Sequence, residues 1–322
     1  MVRQDSPAAR PSVVTAGETM VLATPSAPGR LRHATGLELK IGGAESNVAI
    51  ALSRLGISAG WVSALSSDEP GHLVLDRIRG EGVDTSRVRL LQEAPTGLYL
   101  RERVGKSTRV YYYREGSAAS KMSIDGVDLE YFAQARYVHL TGITPALSGS
   151  CRTFTRALMQ KLGGSPARIS FDVNYRSKLW SAKEALRFTE EVLPMVDLLF
   201  VSAEEAQALW NHDGADLLQK LSEAGPREIV LKRGREGSLA LVGGEPIEHP
   251  GFRVEEVDPI GAGDAFAAGY LAGMLWGLPP EERLRVANAM GAYSVMTLGD
   301  YEGLPDREEL EEFLEGRESL GR

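Results

Sequence analysis

Residues 258–264 place two glycines and two acids directly in front of an apolar run near the end of the chain. Gly261 and Gly263 leave the backbone bare, so several N–H groups can point at one anion. The helix that we expect to follow adds its unpaired N-terminal N–H groups and the positive end of its dipole. A carboxylate at Asp264 next to such an anion site indicates phosphoryl transfer to a hydroxyl whose proton Asp264 accepts. The alternative is that Asp264 only caps the helix.

A second glycine pair, Gly42 and Gly43, precedes a predicted helix that carries Asn47. Gly56 marks the end of this helix, and four apolar residues share one of its faces, namely Val48, Ala51, Leu52 and Leu55. Bare backbone at Gly43 would let a sugar come close, with Asn47 one turn further along the helix. A simple helix-entry turn is the alternative.

Compact apolar runs predict the framework that positions these motifs. Helical stretches of crossover length separate four such runs, at residues 137–140, 169–173, 198–201 and 229–232. This alternation predicts a mostly parallel sheet flanked by helices, with residues 238–242 as an antiparallel partner of the last run. Ligands collect at the carboxyl ends of the strands in such sheets. The candidate site residues therefore follow the strands, at residues 139–142, 172–176, 202–205 and 232–234.

Shorter strand-like segments lie within residues 19–41 and 96–114. We expect them to form a small sheet over the site, because a lid that excludes water prevents wasteful hydrolysis of a phosphoryl donor. One face of such a sheet is not covered by the rest of the chain. Burial of this face against a second copy favours a homo-oligomer in which two lids pair. Residues 13–310 are predicted to form the domain, between a flexible tail at residues 1–12 and a second tail at residues 311–322.

The composition excludes several classes of protein. Among 322 residues, 36 are basic and 44 acidic, and the net charge of −8 argues against nucleic acid or an anionic membrane as the main partner. The single cysteine, Cys151, excludes an internal disulfide and a cysteine-based zinc site, and it fits a cytoplasmic location. Residues 1–12 do not resemble a signal peptide, and the uncharged run at residues 265–280 is shorter than the roughly 18 residues that span a bilayer.

Two other nucleotide-binding motifs are incomplete. Residues 105–107 resemble the end of a Walker phosphate loop, but Leu100 occupies its first glycine position. Gly261 and Gly263 resemble the start of a dinucleotide fingerprint, but Phe266 occupies the third glycine position. A Rossmann oxidoreductase is therefore a disfavoured alternative.

Residues 42–44 with Asn47, together with residues 258–264, resemble the two signatures of the ribokinase-like (PfkB) carbohydrate kinases. Within this family, four stretches are similar to 2-keto-3-deoxygluconate kinases, at residues 96–99, 112–114, 140–143 and 171–176. The resemblance implies a ribokinase-like, doubly wound α/β fold with a small β-sheet lid. It also implies ATP and Mg²⁺ as cofactors, and it leaves open whether a monovalent cation is needed.

The resemblance further implies roles for single residues. Asp264 would contact the sugar as the catalytic base, with Gly261, Ala262 and Gly263 forming the anion hole. The sugar acid would contact six further residues, Gly43, Asn47, Tyr99, Tyr112, Arg114 and Arg176. Arginine suits a carboxylate because its guanidinium is planar, and tyrosine rings can cover an apolar sugar face. Surface arginines and core tyrosines are the alternative.

On the nucleotide side, the resemblance implies contacts from Ser202, Lys232, Gly234, Gly237, Gly261, Gly263 and Asn288. Glu205 would act on Mg²⁺ through water, because this ion keeps much of its hydration shell. Ser202 and Pro259 stand where the wider family has asparagine and threonine. An ordinary helix start with acidic residues in its first turn is the alternative interpretation of residues 202–205.

The function predicted from these features is transfer of the γ-phosphoryl group of ATP to a primary hydroxyl of a keto sugar acid, most closely 2-keto-3-deoxygluconate. Asp264 is predicted to have a low pKa because it lies at a helix N-terminus. A weak base suffices, since a loose phosphoryl transition state depends on positioning and charge neutralisation. Another sugar kinase, of the fructokinase or ribokinase type, and a non-catalytic sugar or nucleotide sensor are the alternatives.

Overall fold

The structure is a computed structural model that describes residues 10–27, 29–105 and 107–316. In these ranges the strands are β1 (Val13–Ala16), β2 (Met20–Pro25), β3 (Leu37–Gly42), β4 (Ala59–Val62), β5 (Ala64–Ser66), β6 (Arg89–Leu91), β7 (Leu98–Val104), β8 (Ser107–Tyr113), β9 (Tyr137–Thr141), β10 (Arg168–Asp172), β11 (Leu198–Ser202), β12 (Glu228–Lys232), β13 (Ser238–Val242) and β14 (Glu245–His249). The helices are α1 (Ala44–Arg54), α2 (Glu69–Gly80), α3 (Leu129–Ala133), α4 (Ile143–Ala146), α5 (Gly149–Leu162), α6 (Ala182–Val192), α7 (Ala203–Trp210), α8 (Ala215–Ser222), α9 (Ala262–Leu275), α10 (Pro280–Ser294) and α11 (Arg307–Leu314).

The main sheet has eight strands in the order β14-β13-β12-β11-β10-β9-β1-β4. The six strands from β12 to β4 run parallel, and β13 and β14 are added antiparallel at one edge. The predicted mostly parallel sheet and the antiparallel pairing of residues 238–242 are therefore confirmed. The apolar residues 60–65 predict a single short strand, but they contribute to both β4 and β5. Strand β5 pairs with β6 in a separate two-stranded sheet.

Both faces of the main sheet are buried, because successive side chains of a strand point to opposite sides. In β11, Leu199 and Val201 join the core that includes side chains of α5, α6 and α8. Leu198 and Phe200 join the core on the other face, which includes side chains of α1, α9 and α10. The doubly wound α/β fold class is confirmed.

The glycines of α9 pack against a helix. The small-residue spacing of Gly269, Gly273 and Gly277 predicts a helix packed closely on the sheet, and for the first two this is wrong. A Cβ on Gly269 would lie 2.9 Å from Cα of Ala287, and one on Gly273 would lie 3.1 Å from Cα of Arg283. The small-residue spacing therefore serves the contact between α9 and α10.

A four-stranded sheet in the order β3-β2-β7-β8 corresponds to the predicted lid. It is mixed, since β2 and β7 pair in parallel while the other two pairs are antiparallel. Val104 pairs with Ser107, so the Walker-like segment is the turn of a hairpin, in which Lys106 lies outside the described residues.

The predicted tails fall partly outside the described residues, at 1–9 and 317–322. In the remainder, Pro11 is buried and the Ser12 amide donates to the Ser58 carbonyl oxygen at 2.8 Å. Helix α11 continues to Leu314, so residues 311–314 of the predicted C-terminal tail are helical. No helix in the described part of the chain is long and apolar enough to cross a bilayer.

Candidate active site

The loop before α9 brings bare backbone to the carboxyl edge of the main sheet. Gly261 is the N-cap residue of α9 and has a φ of 80°, a left-handed value that favours glycine. A Cβ there would also lie only 2.1 Å from the carbonyl oxygen of Asp300. A Cβ on Gly263 would lie 3.5 Å from Nζ of Lys232. The two glycines thus leave the start of α9 without side chains beside an ammonium group, and the Ala262 amide makes a long contact, at 3.4 Å, with the carbonyl oxygen of Pro259.

Asp264 is held by two amides from distant parts of the chain. Nδ2 of Asn47 donates to Oδ2 of Asp264 at 2.8 Å, and Nδ2 of Asn174 donates to Oδ1 at 3.5 Å. The N-cap residue of α9 is Gly261, so the alternative that Asp264 caps the helix is wrong. Sequence reasoning did not single out Asn174. Its φ of 39° is a conformation that asparagine tolerates better than most residues.

The pKa of Asp264 differs from the prediction. Burial raises it to about 7, although the Asn47 hydrogen bond and the positive charges of Arg176 and Lys232 lower it. The predicted low value is wrong because the loss of hydration outweighs the stabilising groups around the carboxylate. Asp264 is consequently a base that titrates near neutral pH.

Lys232 supplies a buried positive charge at the end of β12. Its Nζ donates to Oδ2 of Asp172 at 2.7 Å. Burial alone would lower the pKa of Lys232, but the carboxylates of Asp172 and Glu205 raise it above its ordinary value. The side chain therefore stays an ammonium group. Oδ1 of Asp172 is buried and has no hydrogen-bond partner among the described residues.

Residues 202–205 form the ordinary helix start that was the alternative interpretation. Oγ of Ser202 accepts the Glu205 amide at 3.2 Å, and Oε2 of Glu205 accepts the Ser202 amide at 2.8 Å. The Tyr175 amide donates to Oε1 of Glu205 at 2.7 Å. Burial raises the pKa of Glu205, whereas Lys232 lowers it. Within the described ranges, no cluster of three or more His, Cys, Asp or Glu residues is arranged to hold a metal ion, so the role of Glu205 through water stays a prediction.

The predicted sugar-binding residues of the small sheet lie together. Tyr99 and Tyr112 are stacked with ring centroids 5.7 Å apart. Tyr99 is 5% exposed and packs with Met20 and Leu22, as the core alternative expected, whereas Tyr112 is 44% exposed. Nε of Arg114 donates to Oε2 of Glu18 at 2.7 Å, and Nη2 pairs with the same oxygen. Sequence reasoning missed Glu18, which is buried and which fixes the guanidinium of Arg114.

The remaining sugar-side residues come from the large domain. Arg176 is exposed beyond β10, and its charge acts on Asp264. A Cβ on Gly43 would lie 2.4 Å from the carbonyl oxygen of Glu18, so the close approach that this glycine permits is that of the β1–β2 connection. Contact of Gly43 with a sugar stays a prediction.

The predicted nucleotide-side residues lie near the β12–β13 turn. Gly234 and Gly237 have φ values of 55° and 84°. Nδ2 of Asn288 donates to Oγ of Ser238 and to the carbonyl oxygen of Leu284, both at 2.7 Å. Only Oδ1 of Asn288 is thus left for a ligand, and adenine contact stays a prediction.

A cradle of bare amides, a buried ammonium group and a carboxylate that titrates near neutral pH define a phosphotransferase site at the carboxyl edge of a doubly wound sheet. The sequence matches the pfkB family of carbohydrate kinases over residues 10–307. The chain belongs to this family, which confirms the resemblance of its two signatures.

Relatives of known name support the same assignment. The chain is 36% identical over 312 residues to 2-dehydro-3-deoxygluconokinase of Bacillus subtilis, covering 95% of this chain and 96% of the relative. It is 36% identical over 309 residues to 2-dehydro-3-deoxygalactonokinase of Haloferax volcanii, covering 94% and 96%. A provisionally named ribokinase II from Escherichia coli, solved with ATP and Mg²⁺, has a TM-score of 0.87 and 26% identity, covering 95% of this chain and 100% of that one.

Proposed function

We propose that this kinase transfers the γ-phosphoryl group of ATP to a primary hydroxyl of a keto sugar acid, with 2-keto-3-deoxygluconate (2-dehydro-3-deoxygluconate) as the expected substrate. The observation that carries the proposal is the buried Asp264, with a pKa of about 7, beside the bare amides of Gly261 and Gly263. The names of the Bacillus and Haloferax relatives support a sugar acid as the acceptor.

The residues at the start of α9 fit the phosphate end of ATP. The N–H groups of residues 261–263 and the ammonium of Lys232 would hold the terminal phosphate, and the Ala262 amide would exchange its 3.4 Å contact with Pro259 for the ligand. When bound, ATP supplies the transferable group and Mg²⁺ neutralises its charge. The unpartnered Oδ1 of Asp172 and the carboxylate of Glu205 are the acidic groups that would contact the water shell of the ion. The proposed contacts with the rest of the nucleotide come from the residues predicted for them, Ser202, Gly234, Gly237 and Asn288.

Asp264 would accept the hydroxyl proton at Oδ1. Asn47 occupies Oδ2 with a contact of 2.8 Å, whereas the contact of Asn174 with Oδ1 is longer, at 3.5 Å. A base that titrates near 7 matches general-base catalysis at neutral pH better than an ordinary aspartate does. The two amides fix the orientation of the carboxylate before the substrate binds.

Recognition of the acid group is assigned to two arginines with different surroundings. Arg114 is mostly buried and neutralised by Glu18. Arg176 is exposed, and no side chain in the described part of the chain accepts a hydrogen bond from it. Arg176 is therefore the better candidate for pairing with a sugar carboxylate. The exposed ring of Tyr112, supported by the stacked ring of Tyr99, would lie against the carbon skeleton.

A panel of acceptors with coupled ADP detection tests this function. The parent protein is expected to phosphorylate 2-keto-3-deoxygluconate or its galactonate epimer in preference to fructose and ribose. Arg176→Ala should raise KM for the sugar acid by about tenfold, the loss expected for one charged hydrogen bond, and leave KM for ATP unchanged. Arg187→Ala, at an exposed position of α6, is the matched control. Equal use of neutral sugars would contradict the proposed acceptor class.

We also propose that two small sheets pair in a dimer. Leu37 and Leu39 of β3, each 48% exposed, lie on the same face of the sheet as Tyr111 and Tyr113 of β8. An apolar face that spans a sheet from edge to edge is typical of a protein interface.

A further inference from the structure

One buried arginine connects the small sheet to the loops that flank the anion-binding glycines. Nη1 of Arg101, on β7, lies 3.0 Å from Oδ2 of Asp258 and 3.5 Å from Oδ1 of Asp300. The three side chains are 6%, 7% and 9% exposed. Tyr99, two residues earlier on the same strand, donates to the other oxygen of Asp300 at 2.7 Å. Both carboxylates are therefore bound to the small sheet.

The two acids also fix the position of the anion cradle. Asp258 accepts the amide of Ile260 at 3.4 Å and the amide of Gly299 at 3.3 Å, which ties two loops together. The backbone of Asp300 packs against Gly261 so closely that a Cβ on the glycine would lie 2.1 Å from its carbonyl oxygen. A displacement of either acid would consequently move the backbone N–H groups at the start of α9.

Strand β7 supplies the positive charge that partly neutralises the two acids of this cluster. Burial raises the pKa of Asp300 to about 6, while the Tyr99 hydrogen bond and Arg101 lower it. Removing the guanidinium would leave two buried acids without their cation, and this strongly destabilises the groups that remain. Arg101 is nearly inaccessible and faces two carboxylates, so it is not placed to contact an acidic substrate.

From these contacts we infer that Arg101 is a positioning residue, which makes the geometry of the Gly261–Gly263 cradle depend on docking of strand β7. The kinetic part of the inference rests on the proposed function. Because the same sheet carries Tyr99 and Tyr112 of the sugar side, the cradle is complete only when the sugar side is covered. Because the cradle is incomplete while the sugar side is open, phosphoryl transfer to water is restricted as well.

The first test compares Arg101→Met with Arg103→Met. Arg103 lies on the same strand, is exposed and contacts no carboxylate among the described residues. Arg101→Met should lower kcat about 10²-fold, the loss expected when reacting groups are displaced by about 1 Å, with KM for the sugar nearly unchanged. Arg101→Lys, which keeps a charge but not the planar fork, should give an intermediate kcat. Arg103→Met should behave like the parent.

Hydrogen–deuterium exchange gives a measurement that does not depend on the substrate. In Arg101→Met the amides of residues 258–264 should exchange faster, while those of β9 and β10 keep their parent rates. A parent protein that phosphorylates none of the acceptors would contradict the proposed function, and the exchange data would still decide the role of Arg101. Unchanged kcat and unchanged exchange at residues 258–264 in folded Arg101→Met or Arg101→Lys would overturn the inference, as would faster exchange throughout the protein.

Discussion

At the scale of single residues, the chemistry depends on how burial and hydrogen bonding act on one carboxylate. Asp264 lies at a helix N-terminus, which stabilises negative charge, yet burial raises its pKa to about 7. The helix dipole is worth at most about 2 kcal/mol, less than the several kcal/mol that removing a carboxylate from water can cost. Burial therefore gives Asp264 a pKa that suits the proposed role of general base.

Asp264→Asn removes the proton acceptor and keeps the shape of the side chain. We expect kcat to fall by about 10²–10⁴-fold, the usual contribution of a general base, while ATP affinity stays nearly unchanged. Steady-state kinetics and calorimetric titration with ATP check the two parts. Asp216→Asn is the matched control, because Asp216 is also an acid in the first turn of a helix, α8, but is exposed. Turnover near that of the parent would remove Asp264 from the mechanism.

The pH dependence of kcat/KM should have an acid limb near pH 7. The reactive form of Asp264 is deprotonated, and its folded-state pKa is raised, so activity falls as pH decreases through about 7. Asn47 lowers this pKa by donating to the carboxylate, so Asn47→Ala should move the limb to higher pH. A limb that Asn47→Ala leaves in place would assign the titration to another group.

The same shift has the opposite consequence for stability. Because the folded-state pKa of Asp264 is raised, the folded protein binds this proton more tightly than the unfolded chain does. The contribution of Asp264 to stability is therefore fully present below the ordinary aspartate pKa and is lost as pH rises through about 7. Denaturant titrations of the parent and Asp264→Asn at pH 5 and at pH 8 measure this difference.

Local motifs predicted part of the site, and long-range contacts determined the rest. The glycines at 261 and 263 and Asp264 were predicted because their spacing has a chemical meaning within a few residues. Glu18 and Arg101 were missed, and Asn174 was included only within the candidate range 172–176, because their roles arise from partners between 90 and 199 residues away in the sequence. Arg114 and Glu18 are separated by 96 residues, and nothing near either one marks the pair.

At the scale of elements, the parallel strands were predictable because they are short, apolar and buried on both faces. The β9, β10, β11 and β12 runs are buried along almost their whole length, which is typical of a covered parallel sheet. The break between β4 and β5 was missed, since pairing of β5 with β6 depends on where residues 89–91 fold back. Gly269 and Gly273 of α9 were predicted to pack on the sheet, but they pack on α10. The spacing of small residues shows that another element comes close, but it does not show which one.

The contact between α9 and α10 can be tested at Gly269. A side chain there would meet Cγ of Met290 at 2.8 Å and Cα of Ala287 at 2.9 Å. Gly269→Val should therefore lower the free energy of unfolding by about 1–3 kcal/mol, the usual cost of overpacking. Gly80→Val, where nothing lies within 4 Å, is the control and should change stability little. Chemical denaturation checks both, and equal midpoints would show that the helices separate without cost.

At the scale of the whole molecule, one small sheet has two functions on its two faces. The face that carries Tyr99 and Arg101 contacts the large domain. On the other face Val21 and Ile41 join the main core, whereas Leu37, Leu39, Tyr111 and Tyr113 stay exposed. Alternation along each strand makes this possible, because neighbouring residues serve opposite faces. Pairing of the exposed faces in a dimer would fix the sheet on its outer side. On its inner side, Arg101 fixes the sheet to the loops of the large domain.

The dimer can be tested by charging the exposed face. The double substitution Leu37→Glu and Leu39→Glu places like charges opposite each other in a paired interface, so it should convert a dimer to a monomer in sedimentation velocity. Both leucines are about half exposed within one protomer, so the unfolding midpoint of the monomer should change little. Leu90→Glu, which changes a 42% exposed leucine outside the small sheet, should leave the dimer intact. A parent protein that sediments only as a monomer would contradict the pairing, and the position of the sheet would then depend on Arg101 and Tyr99 alone.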